Sequence, residues 1–281
     1  MRGALHALRR HWPEYAIEAA SLGGFMVAAC LFATLLEHPA SPVRRAIADP
    51  WSRRALMGAA MGLTAISIVY SRWGKRSGAH INPSVTLAFY RLGRVQPADA
   101  AFYAAAQFAG AAAGVTLAAG ILSIASAAGT PLADPAVNYI VTAPGMRGEA
   151  VAFAAELAIS CVLMLVVLET AASARLARYT GLFAGAMVAL YIALEAPLSG
   201  MSMNPARSFG SAVVARSWTA LWVYFTAPPL GMLLATELFV RLRGRRRAPC
   251  AKLCHASDVP CIFCGQGQAP AAGTDRDTAA L

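Results

Sequence analysis

The chain has 281 residues, of which 58% are hydrophobic and only 14% charged, and its mean hydropathy is +0.53. That composition excludes an ordinary soluble domain and points to a polytopic membrane protein. The formal net charge of +10 does not indicate nucleic-acid binding, because the arginines flank apolar runs as at the ends of membrane helices instead of forming one basic face.

Residues 1–13 carry Arg2, Arg9 and Arg10 and read as a cytoplasmic start with no cleavable signal, being polar with no clear small-residue cleavage site after them. Residues 16–36 form the first apolar run of spanning length, a bilayer crossing needing about 20 residues. Glu18 lies near its start, and Glu156 sits equivalently in the fourth span. Carboxylates inside spans are costly and are kept for function or for holding structure. Residues 37–54 make a polar connection with Pro39, Pro42 and Pro50, and a second span covers 55–70. A polar stretch follows, then a third span at 97–124 with Gln107, Gly110 and Gly114 on its faces, where small residues let helices approach closely. A long connection with Pro131, Pro135 and Pro144 leads to a fourth span at 149–168, a fifth at 179–194, a second polar stretch and a sixth span at 219–240. Basic residues at the N-terminus, around Lys75, near Arg175 and after Arg241 place those segments on the cytoplasmic side. Arg44, Arg45, Arg53 and Arg54 in the first outer connection run against that pattern, and the sequence offers no reason for them.

The two polar stretches are one motif repeated. Ser77-Gly78-Ala79-His80-Ile81-Asn82-Pro83 and Ser199-Gly200-Met201-Ser202-Met203-Asn204-Pro205 share Ser-Gly, two residues, an apolar residue and Asn-Pro. Proline is tolerated in the first helical turn and asparagine is a good cap, so each Asn-Pro predicts a short helix, running to about Tyr90 and to about Val214. Each helix start carries roughly half an elementary positive charge, and two of them meeting inside a membrane would repel cations. Three spans and one such loop in each half invert the second half relative to the first, with the site between them at the midplane.

The strings Ser-Gly-Ala-His-Ile-Asn-Pro and Met-Asn-Pro-Ala-Arg-Ser-Phe-Gly resemble the two signature loops of the aquaporin and glycerol-facilitator family, the major intrinsic proteins, over about residues 14–241. The resemblance implies an all-α membrane fold of six transmembrane helices plus two re-entrant half-helices, arranged as an inverted repeat. It implies a passive channel with no cofactor and no enzymatic activity, assembled as a homotetramer in the cell (inner) membrane with both termini cytoplasmic. On that likeness the amides of Asn82 and Asn204 meet the solute at the midplane, and Glu18 and Glu156 hold the loops. Backbone carbonyls of Gly78, Ala79, His80, Gly200, Met201 and Ser202 line the path. Arg207 forms one wall of the narrowest ring, and spacing from the Asn residues carries the other walls to Gly62, Ile192 and Met201. A Gly, Ile, Met, Arg ring is expected to be wide and apolar with one polar corner, passing water and small neutral solutes such as glycerol, urea, ammonia or neutral metalloid acids. Ser84 replaces the family's usual Ala, which bears on width or wetting at that point. His80 reads as a structural loop histidine in preference to a proton relay or metal ligand.

The organisation is therefore a 1–13 start, a 14–241 membrane region with repeats at 14–124 and 149–241, and a 242–281 tail. The tail carries Cys250, Cys254, His255, Cys261 and Cys264. In a reducing compartment disulfides are disfavoured, and Cys250, either Cys254 or His255, Cys261 and Cys264 could bind zinc tetrahedrally. A redox-sensitive pair and an unstructured thiol-bearing tail are the other readings, and residues 266–281 read as disordered. The competing functions are a sensory or structural membrane protein with a closed pore and a metal-binding tail, and a secondary transporter. For a transporter, only Glu195 remains as a further intramembrane acid.

Overall fold

A computed structural model describes residues 2–126, 129–255 and 259–266, so nearly all of the stretch read as disordered lies outside the described residues. Eleven α-helices occur among them: α1 Arg2–Glu37, α2 Pro42–Ala46, α3 Pro50–Tyr70, α4 Arg72–Ser77, α5 Pro83–Arg91, α6 Pro97–Ile124, α7 Glu149–Ala171, α8 Thr180–Leu194, α9 Ala196–Ser199, α10 Pro205–Ala215 and α11 Leu221–Arg243. No strand occurs among the described residues.

The first helix is longer than the sequence reading, which stopped the span at residue 16. It continues through Pro13 to Arg2. Its early turns are tied down by side chains, with Tyr15 Oη donating to Asp99 Oδ1 at 2.6 Å and His11 Nδ1 lying 2.8 Å from the same oxygen. These bonds fasten the start of α1 to the start of α6. The second span also begins earlier than expected. Asp49 accepts from the backbone N–H groups of Trp51 and Ser52, and Pro50 opens the helix.

One of the four arginines of the first connection, Arg53, has a structural account. Arg53 is buried, its Nε 3.1 Å from Glu37 Oε1, and its Nη1 donates to the carbonyls of Ile47 and Ala48 at 2.9 and 2.8 Å. One arginine thus satisfies two loop carbonyls and joins the end of α1 to the start of α3.

Among the described residues five helices are long and apolar enough to cross a bilayer, and α3 is not one of them. It has 21 residues, enough to span, but begins with Pro50, Trp51, Ser52, Arg53 and Arg54. Its place against α8 makes it the sixth span. The main pairs are α1 with α6, α7 with α11, and α3 with α8. Glycines carry these crossings. A methyl added at Gly23 would meet the Gly110 carbonyl oxygen at 3.0 Å, and one at Gly62 would meet that of Gly185 at 2.6 Å. The first pair belongs to one repeat, the second to the other, and the third joins them.

All five tryptophans are more than half exposed; Trp51, Trp73 and Trp222 lie in the first turns of α3, α4 and α11, Trp218 just before α11, and Trp12 in the early turns of α1. Trp12 and Trp73 mark the end where α1 begins and α11 finishes, and Trp51, Trp218 and Trp222 mark the opposite end. Two aromatic girdles are what the two membrane–water interfaces select.

Candidate functional site

Glu18 and Glu156 build the site by the same bonds. Each accepts from the serine before the loop glycine, Ser77 Oγ at 2.7 Å in one half and Ser199 Oγ at 2.7 Å in the other. Each also accepts two backbone N–H groups: His80 at 3.1 Å and Ile81 at 2.6 Å for Glu18, Ser202 at 2.6 Å and Met203 at 2.7 Å for Glu156. Tyr103 Oη donates to the Ser77 carbonyl and Tyr224 Oη to that of Ser199, both at 2.6 Å. These tyrosines escaped the sequence reading. The signal was present, since they stand at nearly the same interval as Asn82 and Asn204.

Pinning consecutive N–H groups on one side forces an unusual backbone. Gly78 and Gly200 have φ of +102° and +77°, and Ala79, Ile81, Met201 and Met203 also lie at positive φ, a region residues with a Cβ rarely adopt. Asn82 then caps α5 by accepting from Ser84 N at 2.8 Å, and Asn204 caps α10 by accepting from Ala206 N at 3.0 Å and Arg207 N at 3.2 Å. The side-chain amides lock the halves together. Asn82 Nδ2 donates to the Met203 carbonyl at 2.6 Å and Asn204 Nδ2 to that of Ile81 at 2.7 Å. An amide nitrogen has two hydrogens, so each keeps one that these bonds do not use.

A cavity of about 280 Å³ lies between the repeats, and Asn82, Asn204, Ile192, Met201 and Arg207 are among its lining residues. Arg207 is fixed there by Nη1 donating to the Ile140 carbonyl at 2.9 Å. Ala79, His80, Gly200 and Ser202 also reach the cavity. Gly78 does not; its carbonyl instead accepts from Leu253 N at 3.1 Å. Gly62 is absent from the lining as well. It faces Gly185 and Ala189 at the α3–α8 crossing, and the face of α3 turned to the cavity carries Met57, Met61 and Ala65. Spacing gives a residue's level along a helix but not its direction. Ser84 is also turned away. It is buried, and its Oγ has no hydrogen-bond partner among the described residues. Glu195 is buried behind the second loop and does not line the cavity.

His80 is structural, and one of its partners is the tail. Its Nδ1 is 3.0 Å from Thr86 Oγ1 and its Nε2 is 2.9 Å from the Ala251 carbonyl. A carbonyl can only accept, so Nε2 carries the proton. The ring is stacked between Phe89 and Phe263 at 5.2 and 5.6 Å. Beyond it, Cys250, His255, Cys261 and Cys264 converge, their ligand atoms all within 4.8 Å of one another, a cluster that could hold a metal ion. Between the sequence alternatives for the fourth ligand, the geometry takes His255 over Cys254, which packs against the core. The hydrogen bond between Cys250 and Cys261 draws the Cys261 thiol well below its ordinary range, helped by backbone N–H groups of Cys264 and Phe263, and pushes Cys250 up.

Fold and site together define an inverted-repeat membrane protein whose two re-entrant half-helices meet tip to tip beside a central cavity. The chain belongs to the major intrinsic protein family, whose model matches residues 16–239. It is 38% identical over 183 residues to aquaporin NIP1-3 of Oryza sativa subsp. japonica, covering 65% of this chain and 60% of that protein. It is 37% identical over 190 residues to aquaporin NIP6-1 of Arabidopsis thaliana, covering 66% and 58%. The chain thus spans about three fifths of the length of these curated relatives. A solved aquaglyceroporin from Plasmodium falciparum shares the fold, with a TM-score of 0.65 over 82% of this chain and 95% of that one at 20% identity.

Proposed function

We propose that the chain is a passive membrane channel for water and small neutral solutes, needing no cofactor for permeation and catalysing no reaction. The observation that carries this reading is the pairing of Asn82 and Asn204 at two facing helix starts on one cavity. Two helix N-termini and the Arg207 guanidinium make the centre hostile to cations, while the free amide hydrogens and loop carbonyls offer a neutral solute hydrogen bonds. Arg207, Ile192 and Met201 form the narrow ring, with Met57 and Met61 contributed by α3 in place of the expected Gly62. The walls are apolar with one polar corner, which suits glycerol or urea as well as water.

A secondary transporter is the weaker reading. Among the described residues the one carboxylate on the cavity wall is Glu37, which is paired with Arg53 at 3.1 Å. No acid lines the midplane among the described residues. By the same likeness the channel assembles as a homotetramer in the cell (inner) membrane. The end where α1 begins and α11 finishes, rich in arginine, faces the cytoplasm, and the tail cluster holds zinc.

Stopped-flow light scattering on proteoliposomes tests the channel. With a chelator present, water and at least one of glycerol and urea should cross faster than in empty vesicles. Ile192→Trp, which fills the cavity from α8, should slow the solute more than water. Vesicles no more permeable than empty ones would sink the reading.

A further inference from the structure

The family match ends at residue 239, yet the chain beyond it is buried against the inner face of the site. Leu253 reaches the cavity that Asn82 and Asn204 line, and it is the tail residue that does so among the described residues. Its backbone N–H donates to the Gly78 carbonyl at 3.1 Å, taking an acceptor that would otherwise face the path. Ala251 is fully buried and accepts from His80. Lys252 is 2% exposed, and its ammonium donates to the carbonyls of Lys75 and Pro260 at 2.7 and 3.1 Å. The first of these lies in the last turn of α4, where a cation is favoured. Gly78 makes room for this contact, because a methyl there would sit 2.7 Å from the Ala251 carbonyl oxygen. The loop and the tail fit as plug and seat.

The cysteine cluster brackets that plug. Residues 251–253 lie between the ligands Cys250 and His255, and Phe263, stacked on His80, lies between Cys261 and Cys264. Cys250 Sγ is 3.5 Å from Cys261 Sγ, and His255 Nε2 is 3.2 Å from Cys264 Sγ. Tetrahedral zinc with Zn–S near 2.3 Å needs sulfurs about 3.8 Å apart, so the four ligands are close to the spacing an ion would impose. A second cavity of about 210 Å³ opens beside Cys250 and His255, next to Ala171 and Ala177, and gives an ion a route to them. An ion bound by all four side chains fastens both ends of the plugging segment and lowers the entropy lost when it seats.

We propose that residues 250–255, together with 261–264, plug the inner mouth of the channel, and that a soft divalent ion such as Zn²⁺, held by Cys250, His255, Cys261 and Cys264, locks the plug in place. This rests on the channel reading above. An ion that binds the seated form preferentially shifts the closed-to-open ratio by mass action, about a hundredfold when it is present at about a hundred times its dissociation constant.

The test uses the full chain in proteoliposomes, with Zn²⁺ or a chelator on the tail side, and measures bound zinc alongside water and glycerol flux. The expected result is one zinc per chain and flux at least about tenfold lower with Zn²⁺ than with chelator. Cys261→Ser with Cys264→Ser should bind no zinc and conduct like the chelated protein whether or not Zn²⁺ is added. Leu253→Gly should still bind zinc yet conduct in its presence, which separates plugging from a direct effect of metal on the pore. Zinc bound with unchanged flux, or closure that follows oxidation and thiol reduction but not Zn²⁺, would overturn the proposal. Absence of flux in every variant and condition would instead overturn the channel reading and the plug with it.

Discussion

Glu18 and Glu156 each take a serine hydroxyl and two backbone N–H groups inside the bundle. Bonds to a charged acceptor are the strong ones, and a buried partner left without its bond costs the most. Glu156→Gln replaces one accepting oxygen with a donor facing donors, so about 2–3 kcal/mol of stability should be lost. A lower melting temperature in detergent with reduced flux checks this; an unchanged melt would mean the loop is held by something else. The signature strings made Asn82, Asn204 and Arg207 legible from sequence, because each string fixes a local geometry by itself, and the two glutamates stood out as acids at equivalent places in two apolar spans. That Gly62 and Ser84 do not line the cavity was not legible, because number along a chain sets depth in a helix, while direction depends on what packs alongside.

At the scale of elements, the crossing of α3 and α8 decides how near the two repeats come. With glycine at 62 and 185, each backbone approaches the other closely enough that an added methyl would press on a carbonyl oxygen. Gly62→Ala should therefore lower stability by about 1–3 kcal/mol through overpacking. Its effect on the ratio of water to glycerol flux should be small, since position 62 is not on the wall. A large change in that ratio with an unaltered melting temperature would restore Gly62 to the narrow ring. The six spans were legible from hydrophobic runs, although α1 and α3 start earlier than composition suggested, where Asp99 and Asp49 supply the anchoring bonds. The docking of the tail was not legible, because it depends on Lys75, Gly78 and His80 meeting a short segment far along the chain, His80 reaching a carbonyl 171 residues away.

For the whole molecule, two inverted halves clasp one another through two asparagine amides, and the cavity they enclose has helix starts but, among the described residues, no carboxylate at its centre. On the channel reading proposed above, that arrangement lowers a barrier in both directions and couples it to nothing. The most direct measurement of this claim is the initial rate of glycerol and urea uptake by proteoliposomes, with the tail released by chelator, as solute concentration rises. The same rates are then taken under imposed proton and sodium gradients. A channel gives rates that rise linearly with the solute gradient and ignore both ion gradients. Rates that saturate, or that an ion gradient drives uphill, would show a transporter and contradict the account.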